Sequence, residues 1–367
     1  MNNISVIGVG RLGLGLSLLF EKFGYNILGL DINEKYVSAL NKKTFKTDEP
    51  LIESYLNLSS NFTATTDLEL VLNFSDYIFI LVQTPNSGGY EFYDHSILSN
   101  LLFQINKFKL KNKHLIIGCT VMPKYIDNIG SCLLSDCIDC SLSYNPEFVA
   151  QGEIIKGFYY PDIILIGSQN QIVINKLKEI YDKCTKSNPI YCVMTPLESE
   201  IVKISLNGFI TTKLSFANMI SDLCDNLNVD KKKVLESIGK DSRIGNKYFN
   251  PGLSYGGPCF PRDTLALKHL LDNNNINSDI LEATHNYNNI HVEFQAEQLL
   301  KENDENIVIE NVCFKEQQNF SCIEESAKLK MALYLKKKGK NIIIKDTLNT
   351  INQVKKQYGS IFNYLEK

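Results

Sequence analysis

The chain has 367 residues, of which 44% are hydrophobic and 22% are charged, and its formal net charge is −3 at pH 7. This length allows roughly two or three domains with sizeable cores, and the dispersed lysines form no basic stripe, which argues against a nucleic-acid partner. No apolar run approaches a membrane span and no charged leader precedes the first hydrophobic run, so we expect no membrane partner, a cytoplasmic location and reduced cysteines.

The N-terminal segment has the pattern of a dinucleotide-binding unit. A β-branched strand precedes the spacing G-x-G-x-x-G at residues 8–13, and an apolar helix and a second strand follow. In such a unit Gly8 makes the tight turn, Gly10 lets the backbone approach a pyrophosphate, and Gly13 lets the helix pack on the strand. The helix N-terminus then holds the phosphates. Asp31 ends the second strand, where its charge repels a 2′-phosphate, so the pattern predicts NAD rather than NADP.

The next region alternates β-branched runs with helical or polar segments. The runs cover residues 77–82, 114–119, 141–144 and 162–166. They predict a mainly parallel, doubly wound sheet, in which ligands bind at the carboxyl ends of the strands. The polar groups at those ends are Thr84-Pro85, Thr120 and Asn145-Pro146-Glu147. We expect them to face the cofactor crevice, although the same residue types also serve as ordinary turn residues.

From Glu198 the pattern becomes helical, and Gly208 is the one glycine before about residue 227. A second helix begins near residue 229 and runs to residue 238. Asn207 and residues 213–218 would line a substrate-facing side of the first helix over several turns. The alternative is a solvated helix that links two domains and forms a dimer interface, which predicts a homodimer through this central helix.

Cys259 follows two glycines and precedes Arg262 and Asp263. The glycines give backbone room for a substrate, and the charged neighbours can tune the thiolate content, as a nucleophile requires. Cysteine is also a common small core residue, so the thiol alone does not establish catalysis. Cys137-Ile138-Asp139-Cys140 is a C-x-x-C without a second ligand pair at zinc spacing; packing is favoured there, and no metal site is predicted.

Beyond the Cys259 loop, the pattern predicts helices over residues 264–300, a strand over 306–314, a helix over 325–338, a strand over 341–345 and a final helix. The predicted fold class is therefore α/β. It comprises an N-terminal Rossmann domain with a doubly wound parallel sheet (residues 1–196), a central helical dimerisation domain with the cysteine loop (197–300) and a small, shortened C-terminal Rossmann-like βαβ domain (301–367).

In combination, these motifs resemble the UDP-glucose and GDP-mannose dehydrogenase family, from Met1 to about Asp346. The matching residues are those of 8–13, Thr84-Pro85 with Asp94, Cys119-Thr120-Val121 with Pro123, residues 145–148, then Glu200, Lys203, Asn207, Lys213, Ser215, Phe216 and Asn218, and finally Asp241, residues 243–245, Pro251-Gly252, Gly256-Gly257, Cys259, Pro261 and Asp263. The resemblance implies an NAD-dependent, four-electron oxidation of a nucleotide-sugar C6 alcohol to a carboxylate, with UDP-glucose the first candidate substrate.

The resemblance also implies roles for individual residues. The implied catalytic residues are Cys259 as nucleophile, Lys213 and an Asp263-bound water as base, Lys213 and Asn218 as oxyanion donors, Glu147 and Asp263 as activators of hydrolysis, and Thr120 as a water-positioning hydroxyl. The implied cofactor contacts are Gly8, Gly10, Arg11, Leu12, Gly13, Asp31, Thr84, Pro85, Thr120 and Arg262. The implied substrate contacts are Phe148, Val149, Lys203, Asn207, Lys213, Tyr248, Phe249, Gly252, Tyr255, Gly256 and Lys315.

The chain departs from the family pattern at several positions. Gln151 lies where the family has an acid, Arg262 replaces a lysine, and Glu324 replaces an arginine that ordinarily reaches the sugar nucleotide. We therefore expect Glu324 to lie away from the diphosphate and Lys315 to contribute to nucleotide binding. Two alternatives stay open: a catalytically weak relative with a regulatory or scaffolding role, and a two-electron hydroxyacid dehydrogenase, which leaves Cys259 unused.

Overall fold

The structure, a computed structural model, describes residues 2–301, 305–315 and 321–367. The chain divides into two compact units, Met1–Lys203 and Ile204–Lys367. No helix within these described ranges is long and apolar enough to span a membrane. The three-domain division remains a prediction.

The first unit is built on one twisted sheet. Its strands within residues 2–203 are β1 (Asn3–Ile7), β2 (Asn26–Leu30), β3 (Phe62–Thr65), β4 (Tyr77–Ile80), β5 (His114–Ile117), β6 (Ser141–Tyr144), β7 (Ile163–Gly167) and β8 (Ile190–Met194). Their order is β3-β2-β1-β4-β5-β6-β7-β8, and every neighbouring pair is parallel except β6 and β7. The prediction of a mainly parallel, doubly wound sheet is confirmed. The edge strands β3 and β8 were not predicted.

Helices cover both faces of this sheet. They are α1 (Arg11–Lys22), α2 (Glu34–Asn41), α3 (Ile52–Leu58), α4 (Leu68–Phe74), α5 (Ser96–Asn106), a π-helical turn (Ile126–Gly130), α6 (Ser131–Leu133), α7 (Ile154–Tyr159), α8 (Gln171–Cys184) and the long α9 (Pro196–Asn226), which continues into the second unit. One core lies on the α1, α7 and α8 side and the other on the α4 and α5 side. Because both faces are covered, β1, β4 and β5 are almost entirely apolar and buried.

The second unit combines helices with a small sheet. Its remaining elements are α10 (Lys231–Gly239), α11 (Phe260–Asn273), α12 (Asp279–Leu300), β9 (Asn306–Glu310), α13 (Ala327–Lys337), β10 (Asn341–Asp346), α14 (Leu348–Tyr358) and β11 (Asn363–Glu366). The strands form a parallel sheet in the order β11-β10-β9. Its core joins β9 and β10 to the inner faces of α12, α13 and α14. This confirms the predicted small Rossmann-like unit.

Two predicted boundaries in this unit are wrong, for local reasons. The strand predicted to reach residue 314 ends at Glu310, because Asn311 adopts a left-handed conformation with φ of 56°. The helix predicted from residue 325 begins at Ala327, because Ser326 is its N-cap and accepts a hydrogen bond from the Leu329 N–H.

Candidate active site

The turn between β1 and α1 has glycine at three motif positions, and at two of them, Gly8 and Gly13, the backbone leaves no room for a side chain. Gly8 has φ of 89°, and a Cβ there would lie 2.7 Å from the Leu81 carbonyl oxygen. A Cβ on Gly13 would overlap the Gly8 carbonyl. Gly10, the N-cap of α1, has no atom within 4 Å of an added Cβ and no side-chain cap. The N-terminus of α1 is therefore open to a phosphate group, which fits the pyrophosphate of a dinucleotide.

Asp31 follows β2 directly, at the same edge of the sheet as the glycine turn. Its carboxylate Oδ1 accepts a hydrogen bond from the Asn33 N–H at 3.0 Å, which orients the side chain locally. The residue is partly exposed, and its role in binding the adenosine ribose remains a prediction.

Arg11 and Leu12 complete the predicted cofactor turn but face different surroundings. Leu12 packs against the core beneath α1. Arg11 is exposed and donates through its guanidinium to Gln151 Oε1 at 2.8 Å. The Gln151 departure therefore preserves an acceptor for Arg11 while removing the charge that an acid would carry.

The turns after β4 and β5 lie against each other. Thr84 is buried, and its hydroxyl donates to the Thr120 carbonyl at 2.9 Å. The Pro85 carbonyl accepts from the Asp94 N–H at 2.8 Å. Thr84 and Thr120 are thus in contact at the carboxyl edge of the sheet, and their role in the cofactor crevice, with that of Pro85, remains a prediction.

His95 supports these turns and was not predicted. Its Nε2 accepts a hydrogen bond from the Met122 N–H at 3.1 Å, and its ring stacks on Tyr125 with centroids 4.5 Å apart. Burial lowers the pKa of His95 to about 4, so the ring is neutral and retains the lone pair that this bond needs. No local sequence signal marks it, because its partner lies 27 residues away.

Asn145 does not face the crevice, so that expectation is wrong. The side chain is buried, donates from Nδ2 to the Leu165 carbonyl at 2.8 Å and accepts from the Tyr181 hydroxyl at 2.6 Å. Both ends of the amide are used to join β6 to β7 and α8, so Asn145 is a structural residue of the first unit.

Glu147 and Lys203 meet within the first unit. The buried Lys203 ammonium donates to the main-chain carbonyl of Glu147 and lies 4.5 Å from the ring centroid of Phe148. The Glu147 carboxylate accepts from the Val149 N–H at 2.8 Å. The structure therefore groups four of the predicted site residues around the segment that follows β6.

Glu200 fixes α9 to the turn after β5. Its fully buried carboxylate accepts hydrogen bonds from the Lys124 N–H at 2.7 Å and the Ile126 N–H at 2.8 Å. Burial raises the pKa of this carboxyl to about 7, despite the opposing effect of the backbone donors. Glu200 was matched to the family pattern, but its partners were not predictable from the sequence.

Cys259 is exposed and forms the N-cap of α11 in the second unit. Its carbonyl accepts from the Asp263 N–H at 2.8 Å, one turn into the helix. The Asp263 side chain is 1% exposed and accepts a hydrogen bond from Asn207 Nδ2 at 2.6 Å. The half-buried Arg262 lies between these two residues in sequence. An exposed thiol at a helix N-terminus, one turn before a buried carboxylate, is the central feature of this site.

Lys213 and Asn218 project from α9 toward the segment before Cys259. Lys213 Nζ donates to the carbonyls of Ile244 and Gly245 at 2.9 and 3.0 Å. Asn218 is 2% exposed, donates from Nδ2 to the Leu253 carbonyl at 3.3 Å, and its Oδ1 has no hydrogen-bond partner. Their catalytic roles remain predictions; the contacts show both side chains bonded to backbone carbonyls.

Asn207 contacts α11, the helix that begins after Cys259, through its side-chain amide. It was predicted to bind substrate, and its contact with Asp263 was missed because the two residues lie 56 positions apart. Its helical position one and a half turns before Lys213 gives no hint of this partner.

Aromatic rings surround the Cys259 loop. Tyr248 and Tyr255 each approach the Phe260 ring edge-on, with centroids 6.2 and 6.5 Å apart. Phe249 is buried and stacks on Phe216. The Tyr248 ring is about half exposed, whereas Phe249 and Tyr255 are buried. Substrate contacts of the two buried residues would therefore come from their backbone groups.

The glycines before Cys259 pack closely on the C-terminal part of the unit. A Cβ on Gly256 would overlap the Glu325 carbonyl, and the Gly257 N–H donates to the Glu324 carbonyl at 3.0 Å. The Glu324 side chain is exposed, so its main chain makes this contact. Lys315 is half-buried, and residues 316–320 after it lie outside the described ranges.

The C-x-x-C pair packs against the second core of the first unit. Cys137 Sγ lies 3.8 Å from Asn106 Oδ1, and Cys140 Sγ lies 3.5 Å from the Leu110 carbonyl oxygen. Across the described part of the chain, no cluster of three or more His, Cys, Asp or Glu side chains is arranged to hold a metal ion.

Comparison with curated proteins finds relatives named UDP-glucose 6-dehydrogenase. The protein from Rickettsia bellii (strain RML369-C) is 32% identical over 289 residues, which cover 77% of this chain and 65% of that protein. The YwqF protein of Bacillus subtilis (strain 168) is 30% identical over 295 residues, covering 78% and 66%. The matched part thus spans less than two thirds of the length of these relatives.

Solved structures show the same architecture. A UDP-glucose dehydrogenase from Pyrobaculum islandicum superposes with a TM-score of 0.89 at 26% identity, over 100% of this chain and 86% of that one. A UDP-D-ManNAc dehydrogenase from Pyrococcus horikoshii superposes with a TM-score of 0.80 at 23% identity, over 94% and 83%. The second likeness shows the fold alone.

Two family models match most of the sequence. The NAD binding domain of the UDP-glucose/GDP-mannose dehydrogenase family matches residues 2–185, and the central domain of that family matches residues 197–290. The open glycine turn and the placement of Asp31 fit the first match, and the cofactor is NAD. On these grounds the chain belongs to the UDP-glucose/GDP-mannose dehydrogenase family.

Proposed function

We propose that this protein is an NAD-dependent nucleotide-sugar 6-dehydrogenase. It converts the C6 alcohol of a sugar nucleotide to a carboxylate in two successive oxidations, and UDP-glucose is the first candidate substrate. Relatives named for UDP-glucose support this choice, at identities of about one third. A cytoplasmic location remains part of the proposal.

The observation that carries the proposal is the exposed Cys259 thiol at the N-terminus of α11, one turn from the buried Asp263. An aldehyde carbon cannot lose hydride until a nucleophile adds to it. Addition of the Cys259 thiolate gives a thiohemiacetal, whose oxidation gives a thioester. Hydrolysis of the thioester releases the carboxylate and regenerates the thiol. A two-electron alcohol dehydrogenase needs no such thiol.

Other residues of the chain would manage protons and charge. We assign removal of the C6 hydroxyl proton to Lys213 or to a water held by Asp263, and stabilisation of the oxyanion to Lys213 and Asn218. The hydrogen bond from Asn207 to Asp263 favours Asn207 as an additional polar group beside the reacting carbon. A neutral Lys213 amine has two N–H bonds and one lone pair, so as a base it could keep both carbonyl contacts while it accepts the proton.

Hydrolysis and cofactor binding use residues of the first unit. NAD, when bound, supplies a hydride acceptor for each oxidation. The glycine turn and the N-terminus of α1 would hold its pyrophosphate, and Asp31 its adenosine ribose. Glu147 would activate the hydrolytic water, and Thr120 would orient it.

We also propose a homodimer that forms through α9. Three apolar side chains, Phe209, Phe216 and Leu223, recur along one face of this helix at intervals of seven residues and are between 47% and 70% exposed. Such a stripe on a long helix is typical of a helix–helix interface. Light scattering of the wild type and of a Phe209→Asp/Leu223→Asp variant tests it: a wild-type monomer contradicts the proposal.

The activity is tested by the yield of NADH from a panel of sugar nucleotides. With limiting UDP-glucose and excess NAD, the proposal requires two NADH and one UDP-glucuronate for each substrate molecule. One NADH for each substrate would indicate a two-electron dehydrogenase. No NADH with any sugar nucleotide, despite measurable NAD binding, would indicate a binding or regulatory protein.

A further inference from the structure

Residues 252–255, which lead to the glycines before Cys259, are held by side chains of α9 and α12. Asn288 brackets Tyr255: its Oδ1 accepts from the Tyr255 N–H at 2.8 Å, and its Nδ2 donates to the Tyr255 carbonyl at 2.9 Å. The Ser254 hydroxyl donates to the Asn288 carbonyl. The segment itself carries no charged side chain.

The Gly252 carbonyl is held by two donors from α12. His291 Nε2 lies 2.8 Å from this oxygen, and Gln295 Nε2 lies 3.1 Å from it. Gly252 has no side chain to pack, and no atom lies within 4 Å of the position that a Cβ would occupy. Its position therefore depends on these hydrogen bonds.

His291 is buried against a carboxylate. Its Nδ1 lies 2.8 and 2.9 Å from the two oxygens of Asp222 on α9, and the Tyr287 hydroxyl donates to the same carboxylate at 2.7 Å. His291 is 1% exposed and Asp222 is 5% exposed. Buried charges of this kind are kept only where they are paired and hydrogen-bonded.

The partners of the two ring nitrogens determine the protonation state. The Gly252 carbonyl can only accept, so Nε2 must carry a proton. An ionised Asp222 carboxylate can also only accept, so Nδ1 beside it must carry a proton as well. A neutral imidazole has a single N–H and would satisfy one of the two acceptors. It would keep the bond to the carboxylate, which is the stronger acceptor, and release Gly252.

We propose that His291 is a buried imidazolium which, paired with Asp222, positions residues 252–255 and thereby the Cys259 loop. Both residues are positioning residues, because neither touches the thiol. The consequence for catalysis rests on the proposed dehydrogenase function, whereas the protonation state and the order of the segment do not.

Two variants separate positioning from general stability. Asp222→Asn preserves every hydrogen bond with a neutral ring, because the new amide can donate to Nδ1 and accept from Tyr287 while Nε2 still donates to Gly252. The double variant Asp222→Leu/His291→Leu replaces the pair with apolar side chains, an exchange that often leaves stability unchanged or higher, but it removes the donor to Gly252. His269→Gln, at an exposed hydrogen bond on α11, is the matched histidine control.

Hydrogen exchange of the peptide containing residues 252–255 is the direct readout. We expect exchange to be faster by about tenfold or more in the double-leucine variant, the change that corresponds to loss of one hydrogen bond to a charged group. Asp222→Asn and His269→Gln should exchange like the wild type. Nitrogen NMR of the wild type labelled in histidine should show His291 with both ring nitrogens protonated, and Asp222→Asn should show one.

The outcomes are decisive without any enzyme assay. Unchanged exchange in a folded double-leucine variant, or a singly protonated His291 in the wild type, would overturn the proposal. If the double-leucine variant does not fold, the Asp222→Asn variant decides. Faster exchange in folded Asp222→Asn than in the wild type overturns the proposal. Exchange at the wild-type rate in Asp222→Asn, together with a doubly protonated His291 in the wild type, supports the proposal. Should the dehydrogenase be active, kcat/KM falls by about tenfold or more in the double variant; should it be inactive, the exchange and NMR results still stand.

Discussion

The cofactor turn and the nucleophile loop are built in different ways. The turn after β1 is made mainly by neighbours in sequence: Gly13 packs against the Gly8 carbonyl, Gly8 packs against Leu81 just after β4, and Gly10 leaves the N-terminus of α1 open. The loop before Cys259 is held by side chains from α9 and α12, which lie more than 30 residues away in the chain. A local motif therefore describes the first site well, whereas the second is specified by tertiary contacts.

The largest expected effect concerns the thiol at the centre of the second site. Cys259→Ser should lower the rate of carboxylate formation by about a thousandfold or more, because serine is a poor nucleophile at neutral pH. The measurement is NADH yield and product analysis with limiting UDP-glucose. Cys132→Ser, at an exposed cysteine of the first unit, is the control. Two NADH per substrate at nearly the wild-type rate would exclude the covalent mechanism.

The glycine turn offers a matched pair that separates ligand binding from folding. Gly10→Ala meets no protein atom within 4 Å, so the melting temperature should stay unchanged while NAD binding weakens by about tenfold or more. Gly13→Ala overlaps the Gly8 carbonyl and should destabilise the first unit by about 1–3 kcal/mol. Calorimetry of NAD binding and thermal unfolding measure both. Wild-type NAD affinity in Gly10→Ala would contradict the assigned phosphate site.

Lys315 and Glu324 test how the second site receives a nucleotide. Lys315→Ala should raise the KM for the sugar nucleotide by about tenfold, through loss of one charge-assisted contact. Glu324→Ala should change it little, because this exposed residue contacts the loop through its main chain. Steady-state kinetics of the two variants show which substitution raises the KM more. A larger effect of Glu324→Ala would place that carboxylate near the diphosphate.

The smallest expected effect is a pH dependence from Glu200. Burial raises the pKa of its carboxyl from the ordinary value of 4.5 to about 7 in the folded chain. The folded state therefore binds more protons between these values, and the Glu200 contribution to stability falls as pH rises through this window. Relative to Glu200→Gln, the wild type should lose about 1–3 kcal/mol between pH 4.5 and pH 8. Urea unfolding of both proteins measures it; a parallel pH dependence would contradict the burial argument.

Prediction from the sequence succeeded where the signal was local. The glycine spacing and Asp31 lie within one βαβ unit, and each β-branched run forms a single strand, so these elements followed from residue type and spacing. Edge strand β3 was missed because its apolar and polar residues alternate over only four positions, whereas β8 is a short apolar run that was not assigned although it has the composition of a strand. Asn145 was misplaced because turn residues and ligand-binding residues have the same composition.

The sequence by itself determined the α/β class and the dinucleotide turn, because each depends on short-range patterns, and its resemblance to the family marked Cys259 as the candidate nucleophile. Only the tertiary structure decided the partners of that nucleophile's segment. Asn207 with Asp263 and Asp222 with His291 are 56 and 69 residues apart, and neither pair has a local pattern. The packing of the helices determines which polar groups meet across such separations, and buried polar groups must form hydrogen bonds with the partners that this packing brings close.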